Sequence, residues 1–184
     1  MAAILVVLFA ISAVVAAASE ETNRPTAVVR LDNLALVPAA DLDFAESRAA
    51  AVFGRIGVRL TWVDEDAAFH EHLRPPFTVI LINSGAQLLA RPAVVDALAF
   101  ADPSVSRAHV MCDRIEGLTA QSPRSAASLL GDVIAHELGH LMLPSPRHSA
   151  RGIMRSGVET HARALETFTD REARQIVSRL TVGP

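Results

Sequence analysis

Ser125-Ala-Ala-Ser-Leu129-Leu130-Gly-Asp-Val133-Ile134-Ala-His136-Glu137-Leu-Gly-His140-Leu141-Met-Leu143-Pro144 is the stretch on which the reading of this chain turns. Leu129, Leu130, Val133, Ile134 and Leu141 fall at the steps of one buried helical stripe. Ser122-Pro123-Arg124-Ser125 opens the helix, with Pro123 suited to its first turn. His136 and His140 stand four residues apart, and four residues advance a helix by about 400°. Both imidazoles therefore leave the same face one turn apart and can share one tetrahedral zinc ion. Glu137 flanks that ion without binding it, placed to accept a proton from a water on the metal and later deliver it to a leaving amine. Seven His and ten Glu in 184 residues give about 0.014 chance occurrences of His-Glu-x-x-His. This one also falls inside a helix, where the chemistry requires it.

Two imidazoles leave such an ion one protein ligand short. The chain continues Leu141-Met-Leu-Pro144-Ser-Pro146-Arg-His148-Ser149-Ala-Arg-Gly152-Ile-Met154. A helix, a reversal at two prolines, a His-Ser pair and a Gly-Ile-Met resemble the metzincin clan of zinc metallopeptidases, nearest to its matrixin-like members. The resemblance is carried by about twenty residues and implies that His136, His140 and His148 bind zinc, that Glu137 is the general base, and that Met154 forms the Met-turn beneath the metal. The pattern departs from HExxHxxGxxH: Leu143 stands where the helix-ending glycine is expected, and Pro146 occupies the place of the third histidine, so His148 comes two residues late. Pro144 stops the helix by a different chemistry, which lets a longer loop bring His148 round. The chain has no Tyr, so extra stabilisation of an oxyanion falls to the metal, backbone amides, Arg151 or Arg155. Glu166 competes as third ligand, in the manner of gluzincin-type sites, with Asp170 behind it. Yet Thr169-Asp-Arg-Glu172 has capping-box spacing and already explains that region as the start of a last helix, Ala173 to Leu180.

Working outward, Thr26 to Leu36, Val58 to Val63, Phe77 to Ile82 and Ala108 to Asp113 are expected strands. Phe44 to Ile56 is expected to be a helix, capped by Asp41 or Asp43 and ended by Gly57, and a short helix is expected from Ala93 to Phe100. The fold class is therefore α+β. The resemblance makes it zincin-like and metzincin-like: a small twisted mixed β-sheet with the N-terminal helix Phe44 to Ile56 and the active-site helix Ser125 to Leu143, the zinc in a cleft between them, and a short C-terminal helix. Residues 19–184 form a single catalytic domain.

Ala2 to Ala18 carries no charge and has small residues at Ala16 and Ala18 before the chain turns polar. It reads as a signal peptide over residues 1–18, placing the domain outside the cytoplasm, secreted or periplasmic; an uncleaved membrane anchor is the alternative. The few residues between Ser19 and the first strand are too short to cover a cleft, so no folded pro-segment is expected. The formal charge of −3, with 17 Arg and no Lys, excludes a basic nucleic-acid footprint. One cysteine, Cys112, excludes an intramolecular disulfide; it reads as a buried strand residue, with an inhibitory thiolate on zinc as the rarer role. His70 and His72 alternate in an acidic loop and read as solvated, or less often as a second metal site. No motif in the sequence draws His109 or His161 into a site, and Met111 and Met142 read as core.

The expected activity is hydrolysis of a peptide bond in a peptide or protein substrate by a zinc-activated water, as a zinc metalloendopeptidase, with an exposed strand edge holding the substrate extended. Two rivals belong to other classes. One is a catalytically inactive, zinc-stabilised extracytoplasmic binding domain, against which Glu137 speaks. The other is a membrane-tethered interaction domain with an accidental HExxH.

Overall fold

The computed structural model describes residues 24–63, 77–84, 97–145, 147–157 and 164–182. The N-terminal segment 1–18, the start of the Ala93 to Phe100 helix, and His70, His72, Pro146 and His161 lie outside the described residues. No helix among the described residues is long and apolar enough to cross a membrane.

Among the described residues five strands form one sheet: β1 (Thr26–Asn33), β2 (Arg59–Val63), β3 (Phe77–Ile82), β4 (Ala99–Asp102) and β5 (Arg107–Met111), in the order β2-β1-β3-β5-β4. Four run parallel. Val29 faces both Trp62 of β2 and Phe77 of β3, and Val79 faces Ala108 of β5. Only the edge strand β4 is antiparallel, Phe100 opposite His109, an arrangement common where an edge closes an otherwise parallel sheet. Helix α1 (Ala39–Gly54) connects β1 to β2, α2 (Cys112–Thr119) follows β5, α3 (Ala126–Met142) carries the HExxH, and α4 (Asp170–Val182) ends the described chain. The architecture is thus the expected mixed α+β one.

Local chemistry accounts for the element ends. Helix α1 stops in a Schellman turn: Val58 N–H donates to Phe53 O at 3.1 Å and Gly57 N–H to Gly54 O at 3.1 Å, with Gly57 at φ +76°. Its N-cap is Pro38, which makes no side-chain cap, and Asp41 lies in the first turn, so neither Asp41 nor Asp43 caps it. Ser125 caps α3, accepting from the Ser128 N–H at 3.2 Å; Pro123 precedes the helix instead of opening it. The capping box is present, with Glu172 N–H to Thr169 Oγ1 at 3.4 Å and Thr169 N–H to Glu172 Oε2 at 2.8 Å.

Two expected elements need correction. The Ala93 to Phe100 helix does not extend into the described residues, because Ala99 and Phe100 belong to β4; ladder bonds to β5 override the helix preference of an alanine-rich run. The strand expected to Asp113 ends at Met111, and Cys112 opens α2, where Asp113 in the first turn accepts from Ser84 N–H at 2.9 Å. Cys112 is buried as expected, but in a helix.

The core lies between the sheet and the helices, joining Ala27, Val29, Val79, Leu81 and Val110 to Phe53, Leu129, Ile134 and Leu138. Helix α3 is buried on nearly every side, which requires the other helix to come close. Gly131 allows it: a Cβ there would meet Ala45 O at 2.7 Å and Arg48 Cβ at 2.8 Å. The next residue, Asp132, locks the contact. Arg48 grips it with Nε to Oδ1 at 2.7 Å and Nη2 to Oδ2 at 3.0 Å, and the buried Arg124 donates to the same Oδ2. Removing one member of a buried charge set strands the rest. Asp132→Asn, which keeps the shape and deletes the charge, is expected to lower the unfolding free energy by about 3–5 kcal/mol. Urea titration of both proteins measures it, and a loss well under 1 kcal/mol would show that the cluster does not hold the two helices together.

Candidate metal centre

Helix α3 delivers His136 and His140 to one face, and the loop after it supplies His148. Their ring nitrogens converge: His140 Nε2 lies 3.0 Å from His136 Nε2 and 3.3 Å from His148 Nε2. The ligating atoms of all three fall within 4.8 Å of one another. Nitrogens bound tetrahedrally at about 2.0–2.1 Å stand roughly 3.3–3.4 Å apart, so the cluster has the spacing of a metal site. The tautomer suits it too. His136 Nδ1–H donates to the Ile153 carbonyl at 2.7 Å, which leaves the Nε2 lone pair facing the other rings.

Electrostatics favour neutral, ligating imidazoles. Burial lowers the pKa of His140 to about 4, helped by the two neighbouring rings, and burial also lowers that of His136 against the opposing pull of the Ile153 carbonyl. Glu137, one residue on, is buried with its Oε2 lacking a hydrogen-bond partner among the described residues, and burial alone raises its pKa to about 8. An orphaned buried carboxylate beside three imidazoles is costly unless a cation or a substrate proton engages it.

The underside is apolar. Met154 is fully buried, and the HExxH glycine makes room for it: a Cβ on Gly139 would collide with Met154 Sδ and meet Phe168 Cε1 at 2.8 Å. Above, a cleft of about 440 Å³ opens, lined by His136, Glu137, His148, Leu98, Leu118 and Val133 among others. Its position corrects the expectation of a cleft between α1 and α3. Those helices touch across Gly131, and the open side of α3 faces β4, α2 and the 148–157 loop instead. Glu166 also lines the cleft, but its Oε1 faces Arg155 Nη2 at 3.6 Å and it is not among the converging ligand atoms. Arg155 lines the cleft, while Arg151 is exposed and outside its lining. Cys112 is buried with its thiol pushed up to about 12 by burial and nearby acidic groups, and it is not among the ligating atoms that converge.

Sequence reasoning named the three histidines, Glu137 and Met154 but missed what surrounds them. The Ile153 carbonyl that orients His136 sits in the Gly-Ile-Met turn, where backbone acceptors leave no signature in residue type. Gly139 could have been noticed, since a glycine inside a helix costs about 1 kcal/mol and asks for a packing reason.

No family model matches the chain, and no curated protein sequence does. Among the solved structures similar to this chain are two that it covers almost end to end. One is a zinc-dependent peptidase from Methanocorpusculum labreanum, with a TM-score of 0.55 and 14% identity over 80% of this chain and 99% of that one. The other is archaemetzincin from Methanopyrus kandleri, with a TM-score of 0.52 and 13% identity over 86% of this chain and 97% of that one. The shared feature at such identity is the fold, which is zincin-like.

With the three imidazoles as ligands, His148→Ala is expected to weaken metal binding by roughly a hundredfold or more, since even outer-shell losses cost about 10–100-fold. Glu166→Ala should retain the metal. Elemental analysis after dialysis against a weak chelator decides it, and metal lost from the glutamate variant alone would replace His148 in the ligand set.

Proposed function

We propose that the protein is a zinc metalloendopeptidase of metzincin type, in which His136, His140 and His148 hold one zinc ion and Glu137 is the general base. The observation that carries the reading is the convergence of three imidazole nitrogens beside a buried, unpaired carboxylate in an open cleft. The similar structures, one described as a zinc-dependent peptidase and the other as archaemetzincin, support zinc as the metal and peptide as the substrate.

Zinc held by His136, His140 and His148 would supply Lewis acidity, polarising a carbonyl oxygen and acidifying a water. The chain's own residues do the rest. Glu137, with burial holding its proton affinity high, takes a proton from the attacking water on Oε2 and returns it to the leaving amine. A cation held beside it would favour its ionised form, against the effect of burial. Leu98, Leu118, Leu129 and Val133 give the cleft apolar walls. Among the described residues strand β4 is last in the sheet, and its Ala99 lines the cleft with His136 and His148, which supports pairing of an extended peptide along that edge. In this reading Met154, packed on Gly139, is the Met-turn, and the matrixin-like His-Ser pair and Gly-Ile-Met triplet mark the loop that brings the third ligand.

Glu137→Gln separates catalysis from metal binding. The variant is expected to fold and to retain zinc, yet to cleave casein or a peptide library at least about 10²-fold more slowly. Equal cleavage rates would remove Glu137 from the chemistry. A parent protein that holds zinc and cleaves nothing would overturn the peptidase reading in favour of a zinc-stabilised binding domain.

A further inference from the structure

His148 is the least supported of the three histidines. It is exposed, as are its neighbour Arg147 and Ala150 two residues on, so burial does little to fix this stretch of backbone. Hydrogen bonds must do so, and within residues 147–150 they converge on Ser149. Its N–H donates to Met154 O at 2.8 Å, pairing the two limbs of the loop, and a backbone bridge joins Ser149 to Arg155. Its hydroxyl leaves the loop altogether and donates to Glu172 Oε1 on α4.

Glu172 is held in turn. Its other oxygen accepts the Thr169 N–H at 2.8 Å, and its own N–H reaches Thr169 Oγ1 at 3.4 Å. A capping-box glutamate ordinarily sits at a solvated helix end, where it needs only to satisfy a backbone donor. This one is only 6% exposed, and burying a carboxylate is unfavourable unless both oxygens are engaged. One oxygen serves the cap. The other serves the metal loop. The same segment is tied to the loop a second time, by Ile153 N–H to Thr167 O at 3.0 Å, and Ile153 is the residue whose carbonyl orients His136.

We infer that Glu172 is a positioning residue for the metal site: through Ser149 it fixes the exposed loop so that His148 meets His136 and His140. The inference rests on the reading of the three histidines as zinc ligands and adds a residue to it. The helix cap and the metal site then share one carboxylate, and the C-terminal helix becomes part of the site's support without touching the ion.

Zinc dissociation constants measured by chelator competition on the full chain test this without recourse to turnover. Ser149→Ala leaves the cap of α4 untouched and removes only the tether; Glu172→Ala removes both. Each is expected to weaken zinc binding by about 10–100-fold, the usual effect of losing a partner behind a ligand. The double variant should be no weaker than Glu172→Ala. Glu172→Gln should stay within about threefold of the parent, because its amide oxygen can accept from Thr169 and its NH2 can donate to the Ser149 hydroxyl, which serves as donor or acceptor. Parental affinity in Ser149→Ala would overturn the inference and leave Glu172 as a helix cap alone, with the zinc reading intact. A parent protein with no measurable zinc affinity would overturn the zinc reading and this inference together.

Discussion

Three imidazole nitrogens within 4.8 Å of one another, with a carboxylate next to them, form a group that tends to spread unless the scaffold holds it or an ion binds it. Much of the molecule is arranged around that requirement. Helical geometry alone brings two of the rings together, because His136 and His140 are one turn apart on a helix that the core surrounds. The third ring has to be carried in by a loop, and the fold spends a second helix and an ordered segment on that loop.

The rigidity of α3 comes from its depth. A helix buried nearly all round can present polar groups only where the packing stops, and in this chain it stops on the side of β4 and α2. On the opposite side Gly131 lets α1 approach until backbone and side chain touch, and the Arg48–Asp132–Arg124 cluster pins that contact one turn before His136. Below, Gly139 admits Met154 and the edge of Phe168. The two glycines of the helix are thus close-contact sites on different sides, and each removes freedom from the face that carries the histidines.

How far the sequence revealed this depends on how local the governing chemistry is. Phe77–Ile82 was legible as a strand because a largely β-branched apolar run of six residues, bounded by Pro76 and Asn83, has few other uses. The capping box at Thr169 and Glu172 was legible because it is satisfied within four residues, whereas the cap at Ser125 was passed over because Pro123 was read into the first turn. The pair His136 and His140 was legible for the same reason as the box. Strand β4 was not, since Ala99–Asp102 becomes a strand only because β5 lies alongside it, and α2 was missed because eight residues with Gly117 in their midst carry little periodicity. The place of His148 was an inference from resemblance. Pro144 announced the end of the helix, but the return of the loop depends on Thr167 and Glu172, about twenty residues further on. The cleft was misplaced for a related reason: which face of a buried helix stays open is decided by what packs on the others, and a close approach at a glycine carries no apolar signal.

The central claim is that one zinc ion is held by three imidazoles with a fourth position left open. X-ray absorption at the zinc edge of the zinc-loaded protein reads the donor set directly. The account predicts three nitrogen donors at about 2.0–2.1 Å, with the outer-shell scattering of three imidazole rings, and one further light atom from solvent. Two imidazoles with a carboxylate, a sulfur donor, or a closed set of four protein ligands would contradict it.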